Sequence, residues 1–375
     1  MKLTVTQQQL AHGLGVVSRA VSPRSTLALL GNILLETDDG RLRLSATNLE
    51  LGITSWIGAQ VEQEGAITVP ARVFADLVNA LPGDKVNLTL NGRTQTLNVA
   101  CGTSTFDIKG IDAQEFPPLP EADMDSSFEL NVADFKEMIR SVSFCASTDD
   151  SRPVLQGVLM EINGSDITLA ATDGFRVSVK TAALSHPLSS PRKVIIPARS
   201  LGELARIAAN EEEAVHMALP SSRGQVIFRL KDAELVSQLI EGNFPDFRAI
   251  IPRNYKTRCA LSTSEFHKAC KQAEIIAREG NNVIRLNIQP REGGPGIVEF
   301  TSQSEEMGSG AVTADANIEG QPLLIAFNVS YLTQVLDVIA TPTVMLETNA
   351  NNTPGLLYPV GDDSYKHVIM PMHLG

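Results

Sequence analysis

The sequence predicts an α+β chain made of three tandem copies of one domain, on three observations. Separate sequence blocks recur at a common offset. Short alternations of apolar and polar residues are punctuated by hairpin turns. Two helical stretches recur in each copy. The first block is Leu3, Val5 and Leu10; Phe128, Leu130 and Phe135 repeat it at an offset of 125, and Cys259, Leu261 and Phe266 a further 131 on. The same offsets align LRLSATN from Leu42 with ITLAATD from Ile167 and VEFTSQS from Val298. A third block agrees within two residues: ITVPARVFADLVNAL from Ile67, VIIPARSLGELARIA from Val194 and, more loosely, IAFNVSYLTQVLDVI from Ile325. EFPPLP closes the first copy at Pro120 and NFPDFRAIIP the second at Pro252. This period is far longer than the ~20–50 residues of solenoid repeats, so each copy is expected to be a domain with its own core. The copies are placed at 1–121, 126–252 and 255–375, with linkers near 121–126 and 252–256.

Within the first copy, an alternating strand over 2–5 leads into a helix from residue 6 to about 20, with Thr6 as its N-cap because a hydroxyl can accept a free backbone N–H. NILLET and RLRLSAT follow as strands joined by Asp38-Asp39-Gly40, a hairpin signal. Two more alternating strands reach Pro70. A second helix is predicted over 71–81, stopped by Pro82-Gly83. Strands resume around Asn91-Gly92, read as another hairpin turn. Each copy thus reads as strand, helix and three strands, then the same again, giving two helices and about eight strands. The remaining helices are expected over 133–147, 198–210, 264–279 and 329–340. Antiparallel sheets must bury one face, and two helices per copy can cover it.

The chain has 375 residues, is 43% hydrophobic and 20% charged, and so can bury sizeable aliphatic cores; aromatics are only 5%. No run reaches the ~20 apolar residues of a membrane span, and the N-terminus carries no apolar leader stretch, so a cytoplasmic protein is expected. Cys101, Cys145, Cys259 and Cys270 lie far apart and read as buried reduced thiols. The six His residues lack metal-ligand spacing, and no phosphate loop, dinucleotide fingerprint or nucleophile elbow is present. Asp149-Asp150 and Asp362-Asp363 read as solvated turns. No cofactor, no metal and no catalytic site are expected.

Net charge is -12, which taken alone argues against a nucleic-acid partner. Its distribution matters more than its sum: the six helical stretches carry +1 and the remaining residues -13. Lys268, Lys271 and Arg278 fall within one arc of about 80° on the fifth helix, roughly opposite Phe266, Ala269, Ala273 and Ile276. Lys136 and Arg140 lie away from the apolar stripe of the third helix. Two readings stay open: an ordinary solvated face, or a sparse basic surface for a phosphate backbone, binding weakly and without sequence readout. Met370, Met372 and Leu374 form an apolar chain end, which reads either as a tail packed on its own core or as an adaptable contact surface. Ile275, on the polar side of its helix, suggests a contact outside the domain.

Together GNILLET, VPAR, LAATDGFR, the FNVSYL block and the terminal VIMPMHL resemble the bacterial DNA polymerase III beta subunits, the replicative sliding clamps, over the whole chain. The resemblance implies a ring-shaped head-to-tail homodimer that encircles double-stranded DNA, with helices inside and sheets outside. It also implies a non-catalytic role, tethering the polymerase so that its effective concentration at the template rises. Arg24, Arg72, Arg152 and Arg199 match DNA-facing positions of the family, and Lys136, Arg140, Lys268 and Lys271 join them as DNA-binding candidates. The partner-peptide cleft is assigned to Leu155, Thr172, Gly174, Phe175, Arg176, Val177, Pro245, Asn328, Tyr331, Val368, Ile369, Met370, Pro371, Met372 and Leu374. Its expected occupants are short motifs of the polymerase III catalytic subunit, the clamp loader, other polymerases and repair proteins. Phe106, Ile275 and Ile276 match the dimer contact. Phe175 and Val177 replace a frequent His and Leu, His373 a frequent Arg, and Pro153-Val154 an aromatic pair near DNA in some relatives. CGTSTF before Asp107 lacks seam arginines, and the acidic stretch near Glu305-Glu306 is thin. A peptide-binding scaffold that never encircles DNA and an enzyme with an unfamiliar site are the competing readings.

Overall fold

Residues 1–22, 27–120, 127–211, 213–220 and 224–373 are described by a computed structural model. The linker expected at 121–126, and with it Arg24, Leu374 and Gly375, lies outside them. The helices are α1 (Gln7–Val17), α2 (Ala71–Ala80), α3 (Val132–Val142), α4 (Ala198–Ile207), α5 (Thr263–Ala277) and α6 (Val329–Val338), two in each copy. Antiparallel strands and short 3-10 turns make up the rest of the regular structure among the described residues, where no helix is long and apolar enough to cross a membrane. Thr6 caps α1 as expected, its side chain accepting from the Gln9 amide. The third and fourth helices are shorter than predicted, because their last turns tighten into 3-10 segments at Ser143–Cys145 and Ala208–Asn210.

The chain divides into two compact units. The first joins Met1–Ala133 to Arg199–Leu239. It holds a five-stranded sheet in the order Gln60–Gln63, Lys2–Thr6, Lys85–Asn91, Thr96–Cys101, Ser104–Lys109. Its second sheet has eight strands and runs across the repeat: Ala233–Gln238 of the second copy pairs with Leu51–Gly58 of the first, Leu235 opposite Ile53. α1 lies close on this sheet; a Cβ on Gly13 would stand 2.7 Å from Leu44 Cδ1. The hairpin at Asp39-Gly40 forms as expected, with φ of 47° and 75°. Asn91-Gly92 does not form the two-residue turn predicted for it. Four residues separate the strands, Gln95 takes the positive φ, and the Asn91 side chain accepts from the amides of Arg93 and Thr94.

The second unit joins Asp134–Ala198 to Ile240–Gly375 and holds a twelve-stranded sheet. Here too the sheet passes between copies. Arg176–Ala183 of the second copy pairs with Tyr365–Ile369 of the third, and Ser178 faces His367. Under it α5 and α6 pack around Phe266 and Phe300, whose rings stand 5.3 Å apart. The Glu274 carboxylate of α5 accepts from Ser330 and Thr333 of α6, at 3.0 and 3.4 Å. Asp362 departs from the solvated turn expected of it: at 3.0 Å from Lys180 Nζ it helps hold a buried ammonium that also meets Glu137 at 2.8 Å. Burial alone would lower the Lys180 pKa, but these two carboxylates raise it above its ordinary value.

All four cysteines are buried, as expected. Cys145 belongs to a polar cluster at the pairing of the second and third copies. Its thiol donates to Ser178 Oγ at 3.2 Å, while Ser178 Oγ lies 2.7 Å from His367 Nδ1 and 3.0 Å from the Tyr365 hydroxyl. Burial pushes the Cys145 thiol up to about 12. Burial, with Arg176 adding to it, lowers the His367 pKa to about 3. The folded chain therefore holds His367 neutral, and its contribution is complete above the unfolded value of ~6.5 and is lost as pH falls from there toward 3. Urea titrations of wild type and His367→Gln test this. From pH 7.5 to 5 the variant should lose about 2 kcal/mol less stability than wild type, at ~1.4 kcal/mol per pH unit below 6.5. Equal losses would remove His367 from the pH response.

Candidate functional site

The second unit gathers most of the residues assigned to a peptide cleft around one turn. Thr172 ends one strand and Arg176 begins the next. Thr172 Oγ1 donates to the Arg176 carbonyl at 2.6 Å and accepts from the Gly174 amide at 3.0 Å. Asp173 Oδ1 accepts from the amides of Phe175 and Arg176. Gly174 sits at a φ of 94°, which strains any residue with a Cβ. The tight turn turns Arg176 inward, 6% exposed, and leaves Phe175 57% exposed.

Arg176 is held on several sides. Its Nε donates to Asp173 at 3.1 Å and an Nη to the Phe144 carbonyl at 3.0 Å. The guanidinium lies 4.1 Å from the Tyr331 ring centroid and 5.3 Å from that of Phe144. Such stacking suits a planar, weakly hydrated cation. Burial and the Asp173 carboxylate raise the Tyr331 pKa. Neither Phe144 nor Asp173 was picked out from sequence. Asp173 carried a usable signal, since an Asp before a Gly at a hairpin turn is placed to bond the amides that follow.

The chain end packs beside this turn. The Met370 amide donates to the Phe175 carbonyl and the Met372 amide to the Ala326 carbonyl, both at 2.8 Å. Met370 is 40% exposed, whereas Val177, Val368 and Ile369 are buried. Pro371 and Met372 are half-buried, as are Leu155 and Tyr331; Gly174 and Pro245 are exposed. Asn328 accepts from the Ser330 amide and caps α6, one turn before Tyr331. Exposed Phe175 and Met370 thus neighbour the buried Arg176–Asp173 ion pair.

The candidate DNA-facing cations divide into free and engaged ones. Arg72, Arg199 and Lys268 are exposed; among the described residues Arg72 pairs with Asp76, 3.8 Å away across one helical turn. Arg152 donates to Asp149 and to the Asp173 carbonyl, and Arg140 to the Asp337 carbonyl at 2.8 Å. Asp337 also stands 3.8 Å from Lys271 and 2.9 Å from His267. Lys136 is half-buried. Phe106, 45% exposed, lies on Ser104–Lys109, the last strand of its sheet. Ile275 is 61% exposed, and half-buried Ile276 places its Cδ1 3.1 Å from where a Cβ on Gly310 would stand. Gly310 lies on Gly308–Gly320, whose first eight residues pair on one side only among the described residues. No cluster of three or more His, Cys, Asp or Glu among the described residues could hold a metal ion.

Three family models match the chain in order. They are the DNA polymerase III beta subunit N-terminal domain over residues 1–120, its central domain over 129–246 and its C-terminal domain over 248–373. The beta sliding clamp of Synechococcus elongatus is 33% identical over 377 residues, covering 100% of both chains. The DNA polymerase sliding clamp of Bacillus subtilis superposes with a TM-score of 0.94 at 29% identity, again over 100% of both. A sliding clamp from Pseudomonas aeruginosa bound to griselimycin gives 0.92 at 28% identity and the same coverage. With three domain models in sequence and relatives matched from end to end, the chain belongs to the DNA polymerase III beta-subunit family, the beta sliding clamps.

Proposed function

We propose that this chain is a non-catalytic processivity factor of the replicative DNA polymerase: a cytoplasmic homodimeric ring of three-domain subunits that encircles duplex DNA and tethers partner proteins. The domains fall at 1–121, 126–252 and 255–375. The full-length match to sliding clamps carries the processivity role. The ring reading draws on the repeat itself. Following the hairpin registers from strand to strand makes Phe106, Leu235 and His367 equivalent, and likewise Ile53, Ser178 and Gly310. Leu235 faces Ile53 and His367 faces Ser178. The third pairing of the set is Phe106 with Gly310. It joins two chains head to tail: a large ring on one strand meets a residue without a side chain, with Ile276 beneath it. Two such seams close a dimer.

Exposed Arg72 and Arg199 support weak phosphate contact, which suits sliding because tight contacts would stall it. Arg24, Arg152, Lys136, Arg140, Lys268 and Lys271 complete the proposed inner surface. The peptide cleft is assigned to the turn around Arg176 with Phe175, Tyr331, Met370 and the rest of the set given above. A Met-rich, partly exposed surface suits motifs from several partners, among them the polymerase catalytic subunit, the clamp loader and repair proteins.

Three experiments test this reading. Loaded clamp should stay on nicked circular duplex and leave when the circle is linearised; retention on linear DNA with free ends would refute encirclement. Oxidation should cross-link a dimer carrying Phe106→Cys with Gly310→Cys. Pairing Phe106→Cys with Ala311→Cys should not, since neighbouring strand residues face opposite sides; the reverse pattern would disprove the register. Phe175→Ala with Met370→Ala should weaken binding of a polymerase-derived motif peptide at least tenfold, a loss of about 1.4 kcal/mol or more, while leaving the dimer intact. Unchanged affinity would move the cleft elsewhere.

A further inference from the structure

Arg19 and Arg206 belong neither to the proposed DNA-facing set nor to the peptide cleft, yet the first unit brings them together. Arg19 lies in the 3-10 turn Ser18–Ala20 that follows α1 in the first copy. Arg206 lies in the last turn of α4 in the second copy, where a cation suits the negative end of the helix dipole. Both meet the Glu203 carboxylate, one on each oxygen. Arg19 Nη1 donates to Oε2 at 3.1 Å and Arg206 Nη1 to Oε1 at 2.7 Å. The Glu203 side chain is 11% exposed, whereas those of Arg19 and Arg206 are 39% and 62% exposed and open to a ligand. A guanidinium carries five N–H donors, and among the described residues each of these two uses one, on Glu203.

Charge selects the ligand. A buried carboxylate needs one cation to offset it, so the second arginine leaves the group with a positive excess. Exposed Arg199 adds to it. Residues 199, 203 and 206 fall within an arc of about 60° on α4 at 100° per residue, so the excess gathers on one helix face. With both Glu203 oxygens occupied, the two guanidinium forks are held before any ligand arrives, and a held side chain loses less rotamer freedom on binding. Planar forks of this kind match the oxygens of a phosphate. The first copy has the same helix entry without the support. VPAR aligns Arg72 and Asp76 with Arg199 and Glu203, but Asp76 is 74% exposed and among the described residues meets only Arg72. The buried acid and its second arginine therefore distinguish α4 from its counterpart α2.

We propose, on the clamp reading given above, that Arg19 and Arg206, held by Glu203 and joined by Arg199, form a binding site for the phosphodiester backbone of duplex DNA, with Glu203 as its positioning residue. Binding of a short fluorescent duplex to the full chain, followed against salt concentration, tests this. Arg19→Gln with Arg206→Gln should flatten the slope of log affinity against log salt by about 1–2, at ~0.9 per lost phosphate contact, and weaken binding about fivefold at low salt. Arg206→Gln alone, at an exposed position, should flatten it by about 0.9 and carries the measurement if the double variant does not fold. Glu203→Gln removes a negative charge and keeps the shape. It should nonetheless weaken binding, because the two forks lose their common anchor, whereas a role through net charge alone would tighten it. An unchanged slope in the arginine variants, or equal or tighter binding by Glu203→Gln, would overturn the site. Inorganic phosphate added at constant ionic strength should leave duplex binding unchanged; displacement would give the site to a free anion instead. A wild-type chain that binds no duplex at low salt would remove the DNA reading as well, while wild-type binding indifferent to these substitutions sinks this site alone.

Discussion

Backbone groups on the last strand of each copy need partners that the copy itself does not supply. An edge strand exposes a row of unpaired N–H and C=O groups, and twice in this chain the row is satisfied by the neighbouring copy. Ala233–Gln238 adds to Leu51–Gly58, and Tyr365–Ile369 adds to Arg176–Ala183. The compact units of the structure follow these shared sheets. The turn that carries Arg176, the buried Ser178–His367 cluster and the apolar tail all depend on the second pairing, because it fixes where the final strand ends.

Much of this was legible in the sequence because hairpin chemistry and periodicity are local. Asp39-Gly40 made its turn, Thr6 capped its helix, and the common offset located two helices in every copy. What stayed hidden was long-range. Alternation says which face of a strand is buried but not which strand lies beside it, so the strand registers that join the copies could not be read from it. His367 looked like one of several scattered histidines, yet it is fully buried against Ser178. Phe144 was read as part of a helix, and its role as a platform for Arg176 follows from a 3-10 turn that places it there. Asn91-Gly92 misled because a longer loop, tied by the Asn91 side chain, moved the left-handed residue to Gln95.

Comparing the copies shows how a site emerges from a repeated frame. The first copy builds the same turn, with Thr47, Asn48, Leu49, Glu50 and Leu51 in place of Thr172 through Arg176. Its hydrogen bonds correspond one for one: Thr47 Oγ1 to the Leu51 carbonyl, the Leu49 amide to Thr47, and the amides of Glu50 and Leu51 to Asn48. Leu49 even takes the left-handed conformation, at a φ of 77°, where the second copy relieves the strain with Gly174. The scaffold is therefore shared, and the difference lies in what it carries. Leu51 is an apolar core residue, whereas Arg176 is a buried cation flanked by two aromatic rings and an aspartate. A single position turns a structural corner into an electrostatic one.

The half-paired strand Gly308–Gly320 and the terminal strand Ser104–Lys109 each leave an edge unpaired among the described residues. Under the proposed Phe106–Gly310 pairing the chain is, in polymer terms, a bifunctional monomer. Step growth from such a unit has two outcomes, a filament that always keeps two reactive ends or a cycle that keeps none. Only the cycle leaves neither of these two edges facing water, and its stability gains from an effective concentration that falls as the loop lengthens. A misfit at the proposed Phe106 seam would then do more than weaken the proposed dimer. It would change the distribution of products from closed species to open ones, so assembly state would respond to protein concentration as a linear polymer does.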